Sequence, residues 1–171
     1  WYKDYPVGVA SLITSQISQP ADLRGKVIGL PGLYGANYIG FEALAGHAGL
    51  TDADYELRSI GFTQVEALVT EQVDAVVVYL ANEPVQLRAR GYEIDVLRVA
   101  DALSLVGNCL VTNEKSVKER PELVQGMVRA MEEALAATAA DPEMAYEVSR
   151  KYVENLAEDD PIQLQVLLES I

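Results

Sequence analysis

The chain has 171 residues, is 50% hydrophobic, and sets 13 lysines and arginines against 26 aspartates and glutamates for a net charge of -13. That apolar fraction suits one globular domain or two small lobes with a real core and excludes a disordered chain. The acidic balance offers no basic stripe for a phosphate backbone, which excludes nucleic acid as a partner, and a lone cysteine, Cys109, excludes a disulfide framework or a thiolate metal site built within this chain.

Residues 7–14, VGVASLIT, are β-branched and apolar and predict an opening strand, followed by a polar turn over 18–25 marked by Pro20. A regular alternation comes next: strand 27–30, helix 36–48, strand 55–60, helix 63–71, strand 75–79, helix 83–90 and strand 94–99. Gly49 and Gly91 close helices, and the Thr63 hydroxyl is a candidate N-cap for the helix it opens. Strands alternating with helices of this length predict an α/β fold with a doubly wound, mostly parallel sheet. In such sheets ligands collect at the carboxyl edge of the strands, which singles out the loops at 32–38, 62–64 and 79–83.

Beyond residue 104 the pattern changes. The apolar run 105–111 predicts one more strand with Cys109 buried in it, and everything after it predicts helix. Ser116 and Glu119 have capping-box spacing, and Pro121 fits a first helical position. Leu123, Val124, Met127, Val128, Met131 and Leu135 then recur at helical spacing as a core face. Asp141 with Pro142 starts a second helix carrying Met144, Tyr146, Val148 and Tyr152, and Asp160 with Pro161 starts a third through 164–171. The 36–99 block looks closed on itself, so the opening strand and the tail require another lobe. The expectation is a C-terminal piece of a two-lobed protein.

The most informative segment is 25–40, GKVIGLPGLYGANYIG, where an apolar strand runs into a glycine-punctuated loop that opens a helix. Gly32 and Gly35 let backbone approach a bound molecule, and free amides at the helix start attract a carbonyl, carboxylate or phosphate. The glycines at 29, 32, 35 and 40 do not form G-x-G-x-x-G, and Lys26 is followed by Val27, so neither nucleotide motif is present. The plainer reading is an ordinary strand-to-helix turn. Tyr34, Tyr38, Phe62 and Tyr79 can offer aromatic faces to a flat solute, and Asn37, Thr63, Gln64 and Asn82 supply uncharged polar groups. Glu83, fixed by Pro84 at a strand-to-helix junction, can accept hydrogen bonds from an amino group or ring N–H and would repel anions; the alternative is a first-turn glutamate facing solvent.

Segments ADLRGKVIG at 21–29, the 32–38 loop, IGFTQ at 60–64, VDAVVVY at 73–79, NEP at 82–84 and PELV at 121–124 together resemble the extracytoplasmic solute-binding proteins of ABC importers. Within that group the likeness is to the ThiY/RibY-like family, which binds thiamine pyrimidine precursors or riboflavin; Tyr79 with Asn82, Glu83 and Pro84 is the more specific element. The resemblance implies a periplasmic-binding-protein-like type II fold with a hinge strand region at 1–19 and a second α/β lobe at 20–103. Residues 104–171 would be a return strand and helices belonging to the first lobe. It further implies a heterocyclic solute held between lobes, a membrane ABC permease as partner, a monomeric intact protein, no cofactor, and a periplasmic or membrane-anchored extracellular location. Ala81 departs from the asparagine expected in close relatives.

Catalysis is the weaker expectation. The chain has one histidine, His47, late in the first predicted helix, and no H-E-x-x-H or C-x-x-C. The pairs Glu132 and Glu133, and Asp159 and Asp160, are sequence neighbours that predict solvated charge rather than an acid and base facing one another. Fungal thiamine-pyrimidine synthases share the family's fold, but they depend on a cysteine-rich motif and histidine ligands that this chain lacks. A sensor domain with the same cleft is the remaining alternative.

Overall fold

The computed structural model describes residues 4–154, 156–158 and 160–171. Two compact units divide the chain, residues 1–108 and 109–171.

In the first unit five strands make one mixed sheet in the order β3-β2-β4-β1-β5, with β1 at Val7–Leu12, β2 at Val27–Leu30, β3 at Glu56–Ser59, β4 at Ala75–Tyr79 and β5 at Ile94–Arg98. β2 pairs in parallel with β3 and β4, whereas β1 runs antiparallel between β4 and β5, with Val9 opposite Val77 on one side and Leu97 on the other. The opening strand thus finds its partners downstream in its own sheet, not in another lobe as its lack of an upstream partner suggests. Its buried residues on both faces suit an interior position. It ends two residues short of expectation, in a single 3-10 turn at Ile13–Ser15. The edge strands are the polar ones: β3 is largely exposed and carries an Arg58 to Glu56 ion pair at 2.7 Å, which discourages edge pairing.

Helix α1 (Gly35–His47) covers one face of the sheet with Phe41, Leu44 and Ala45, packed on Val7, Val9, Ile28, Leu30 and Val77. The Phe41 ring meets Tyr55 edge-to-face at a centroid distance of 4.9 Å. Helices α2 (Gln64–Val69) and α3 (Glu83–Ala89) cover the other face, where Val65, Leu68 and Leu87 join Ala10, Val76 and Val78. The alternation along β4, Val77 to one cluster and Val76 and Val78 to the other, separates the two cores. A short helix α4 (Val99–Ala102), absent from the sequence expectation, continues from β5.

The second unit holds α5 (Glu114–Glu119), α6 (Pro121–Ala140), α7 (Pro142–Ser149) and α8 (Pro161–Glu169). Pro121, Pro142 and Pro161 each sit in a first helical turn, as their sequence context predicted. The cap of α5 is Asn113, which accepts from the Ser116 amide at 2.8 Å, so Ser116 is a capped residue rather than the cap. α6 has no buried residue: Leu123, Met127 and Leu135 are exposed, and Val124, Val128 and Met131 half-buried. Tyr152 lies past the end of α7 and is exposed.

The predicted strand at 105–111 does not form; residues 103–113 have no regular structure, and Cys109 is exposed. Apolar composition alone cannot make a strand, because its N–H and C=O groups need a ladder partner, and no strand lies alongside this run among the described residues. Among the described residues no helix is long and apolar enough to cross a membrane. Trp1, Tyr2, Lys3, Asn155 and Asp159 lie outside the described residues, so the Asp159 partner of the expected acidic pair is not placed.

Candidate functional site

Three loops meet the carboxyl edge of the sheet, and β2 and β4 are neighbours whose following helices go to opposite faces. A doubly wound sheet opens a crevice at that reversal. After β2, Pro31 and Gly32 turn the chain; a Cβ on Gly32 would strike the Tyr34 ring at 2.5 Å. Gly35 then takes a φ of +73°, a left-handed conformation that glycine adopts freely, and starts α1. No side chain caps α1, whose N-cap position is Tyr34, and its first turn holds no acidic residue. Its leading N–H groups and positive dipole end therefore have no side-chain cap or acidic neighbour from its own first turn.

Around this opening the aromatic residues divide in two. Tyr34 at 74% exposure and Phe62 at 88% stand free in solvent. Tyr38 and Tyr79 are instead half-buried against the α1 core. Ser59 at the end of β3 donates to the Pro31 carbonyl at 3.3 Å, which ties the first two loops together.

The same edge also carries buried polar side chains. Asn37, in the first turn of α1, donates from Nδ2 to the Val77 carbonyl of β4 at 3.3 Å, across the reversal. Glu83 is 8% exposed and engaged inside the protein: its Oε2 accepts from the Tyr79 amide at 2.9 Å, and its Oε1 accepts from Gln64 Nε2 at 3.4 Å and Asn82 Nδ2 at 3.3 Å. One carboxylate thus links the end of β4 and the start of α3 to the start of α2. Burial pushes the Glu83 carboxyl above its ordinary value, and the hydrogen bonds it accepts, the Tyr79 amide's among them, pull it back in part.

The expected residues therefore come together with different parts. Gly32, Tyr34, Gly35, Asn37, Tyr38, Phe62, Gln64, Tyr79 and Glu83 all lie on the three edge loops or the strand end and helix starts that flank them. Asn82 has both ends engaged, Nδ2 on Glu83 and Oδ1 accepting from Gln86 Nε2 at 2.9 Å, which makes it a loop brace. Thr63 is exposed and its hydroxyl donates to the Ile60 carbonyl at 2.7 Å, so it does not cap α2 as its sequence position had suggested.

Two contributors were missed. Tyr5 donates its hydroxyl to the Ala36 carbonyl at 2.7 Å and anchors the first turn of α1; because β1 is antiparallel, its beginning lies at the same edge as the strand ends. Asn108 Nδ2 donates to the Tyr79 hydroxyl at 3.4 Å. Neither had a sequence signal beyond its residue type, since both depend on how β1 and the post-sheet segment are threaded.

Among the described residues no group of three or more His, Cys, Asp or Glu could hold a metal ion. A separate concavity in the second unit is bounded by Tyr146, Pro161, Leu164 and four carboxylates. Three of those carboxylates have structural work: Glu147 and Glu158 pair with Arg150, and Asp160 caps α8.

Architecture and edge together define a periplasmic-binding-protein-like α/β fold. The structure is similar to the periplasmic aliphatic sulphonate binding protein SsuA from Escherichia coli, with a TM-score of 0.80 at 18% identity over 99% of this chain and 56% of that one. Likeness at that identity speaks for the fold. The chain belongs to the family described as NMT1/THI5 like, whose sequence model matches residues 1–145. Among curated relatives, it is 36% identical over 171 residues to the riboflavin-binding protein RibY of Chloroflexus aurantiacus, covering 99% of this chain and 49% of that protein. It is 30% identical over 148 residues to the 4-amino-5-hydroxymethyl-2-methylpyrimidine phosphate synthase of Legionella pneumophila, covering 84% of this chain and 46% of that protein. The chain spans about half the length of the curated relatives it matches.

Proposed function

We propose that this chain is part of the solute-binding component of an ABC importer, which captures a small flat heterocycle and hands it to a membrane permease. The observation that carries the reading is the carboxyl edge itself. Exposed Tyr34 stands at an uncapped helix start, exposed Phe62 lies on the loop after β3, and a buried carboxylate and two carboxamides tie the loops of this edge together. Such a surface holds a ligand by stacking and hydrogen bonding. Among the described residues it presents no nucleophile and base pair, and the only histidine, His47, is exposed at the end of α1 opposite the one that meets these loops. We therefore read the protein as a carrier that catalyses no reaction.

Riboflavin and an aminopyrimidine thiamine precursor are the solutes proposed, on the strength of family membership and the RibY likeness. Residues 20–103 together with β1 act as one lobe, the exposed apolar residues Leu123, Met127 and Leu135 of α6 pack on the rest of the other lobe, and the protein works as a monomer outside the cytoplasm. Closure is a rigid-body hinge motion favoured by ligand contacts made only in the closed state.

Thermal unfolding of the full-length protein tests this against riboflavin, the aminopyrimidine, taurine and nitrate. A ligand at about 100 times its Kd adds about 2.7 kcal/mol of stability. Stabilisation by one heterocycle alone is the expected result; stabilisation by taurine or nitrate alone would replace the heterocycle with an anion or sulfonate, and no shift with any of them would sink the carrier assignment for these solutes.

A further inference from the structure

Three polar side chains at the carboxyl edge have one half of their hydrogen-bonding capacity committed to the protein, and that commitment has a direction. Gln64 meets Glu83 through Nε2 at 3.4 Å; an ionised carboxylate only accepts, so the amide must turn its nitrogen inward and its oxygen away. Asn37 meets the Val77 carbonyl through Nδ2 at 3.3 Å, and a carbonyl likewise only accepts. The Tyr79 hydroxyl accepts from Asn108 at 3.4 Å, which leaves its own proton to donate elsewhere.

The other halves are open. Among the described residues no group donates to Gln64 Oε1 or Asn37 Oδ1, although these residues are only 3% and 7% exposed. Among the described residues no buried side-chain polar atom is sealed off without a partner, so both oxygens retain some access to solvent. A carbonyl oxygen on a side chain this buried is a poor neighbour for a group that only accepts.

We infer that this edge reads hydrogen-bond donors on its ligand: N–H or amino groups meet the carbonyl oxygens of Asn37 and Gln64, a ligand acceptor meets the Tyr79 hydroxyl, and Glu83 is the positioning residue that sets the sense of Gln64. The inference rests on the solute-binding reading above and adds to it the polarity of the solute. Aminopyrimidines and the imide edge of a flavin carry donors beside acceptors. Sulfonates without an amine and nitrate would set oxygen against oxygen and are rejected.

Calorimetric titration of the full-length protein with two matched probe pairs tests it: riboflavin against riboflavin methylated at the imide nitrogen, and the aminopyrimidine thiamine precursor against its dimethylamino analogue. For the parent that binds, capping its N–H groups weakens binding by about 10- to 100-fold, because a buried acceptor is left unpaired. The parent-to-capped ratio, which a general loss of folding would not move selectively, collapses toward one in Gln64→Met or Asn37→Leu. It also shrinks in Glu83→Gln, where an amide at 83 can donate to Gln64 and release its orientation. A ratio near one in the unmodified protein, with the parent still bound, overturns the polarity and leaves the carrier reading standing; so does a large ratio that persists in all three variants. Failure of both parents to bind overturns the two readings together.

Discussion

Glu83 shows how much a single residue's part depends on its surroundings. From the sequence it is an acidic residue at a helix start, equally suited to a ligand or to water. In the fold it is a buried anchor with three internal donors. Its carboxyl is raised by burial, so in the pH range between its ordinary and its raised value the folded state holds a proton that the unfolded state has already released, and above that range it is ionised in both. Stability from this group is therefore full below the ordinary carboxyl value and is lost as pH rises through the raised one. Urea unfolding of the unmodified protein and of Glu83→Gln, compared at about pH 8 and about pH 5, checks the sign: the unmodified protein gains on the variant as pH falls. The opposite trend would mean that the accepted hydrogen bonds outweigh burial. Residue type singled out Glu83 and Gln64, but their mutual contact spans 19 positions in sequence and had no local signal.

At the scale of elements, local chemistry was a good guide wherever a proline or an apolar period spoke. The starts of α6, α7 and α8 follow from Pro121, Pro142 and Pro161. α8 has the fullest cap: Asp160 accepts from the Ile162 and Gln163 amides, each at 3.0 Å. Asp160→Ala is expected to cost about 0.5–2 kcal/mol of helix stability, while Asp160→Asn keeps most of it, as read by far-ultraviolet circular dichroism on heating. Equal behaviour of the two would show that the cap contributes nothing. Where caps compete, spacing misled: Ser116 three residues before Glu119 has the form of a box, yet Asn113 occupies the cap and Ser116 supplies a donor. The apolar run at 105–111 misled for a different reason, since a strand is a relation between two segments and only one of them is visible in a local reading.

At the scale of the molecule, the two units are built differently. Residues 1–108 contain two buried clusters on opposite faces of one sheet, whereas in residues 109–171 only Tyr146 is buried among the described residues. A fragment of residues 1–108 is therefore expected to fold alone, with one cooperative urea transition and the β-sheet signal of the longer chain. A gradual, non-cooperative loss of signal would show that its two clusters are insufficient. The exposed apolar positions of α6, Leu123, Met127 and Leu135, fit the proposal that this helix packs on further chain of a two-lobed protein.

Sequence by itself determined the elements of the α/β block, the carboxyl-edge location of the candidate site and the family, because these depend on period, punctuation and short motifs within about a dozen residues of each other. Only the tertiary structure decided that β1 runs antiparallel at the interior of the sheet, that Tyr5 and Asn108 join the edge, and that Glu83 and Asn82 brace loops from within. Those outcomes turn on which strand edge is free and which buried donor lacks an acceptor, and both are settled by partners far away along the chain.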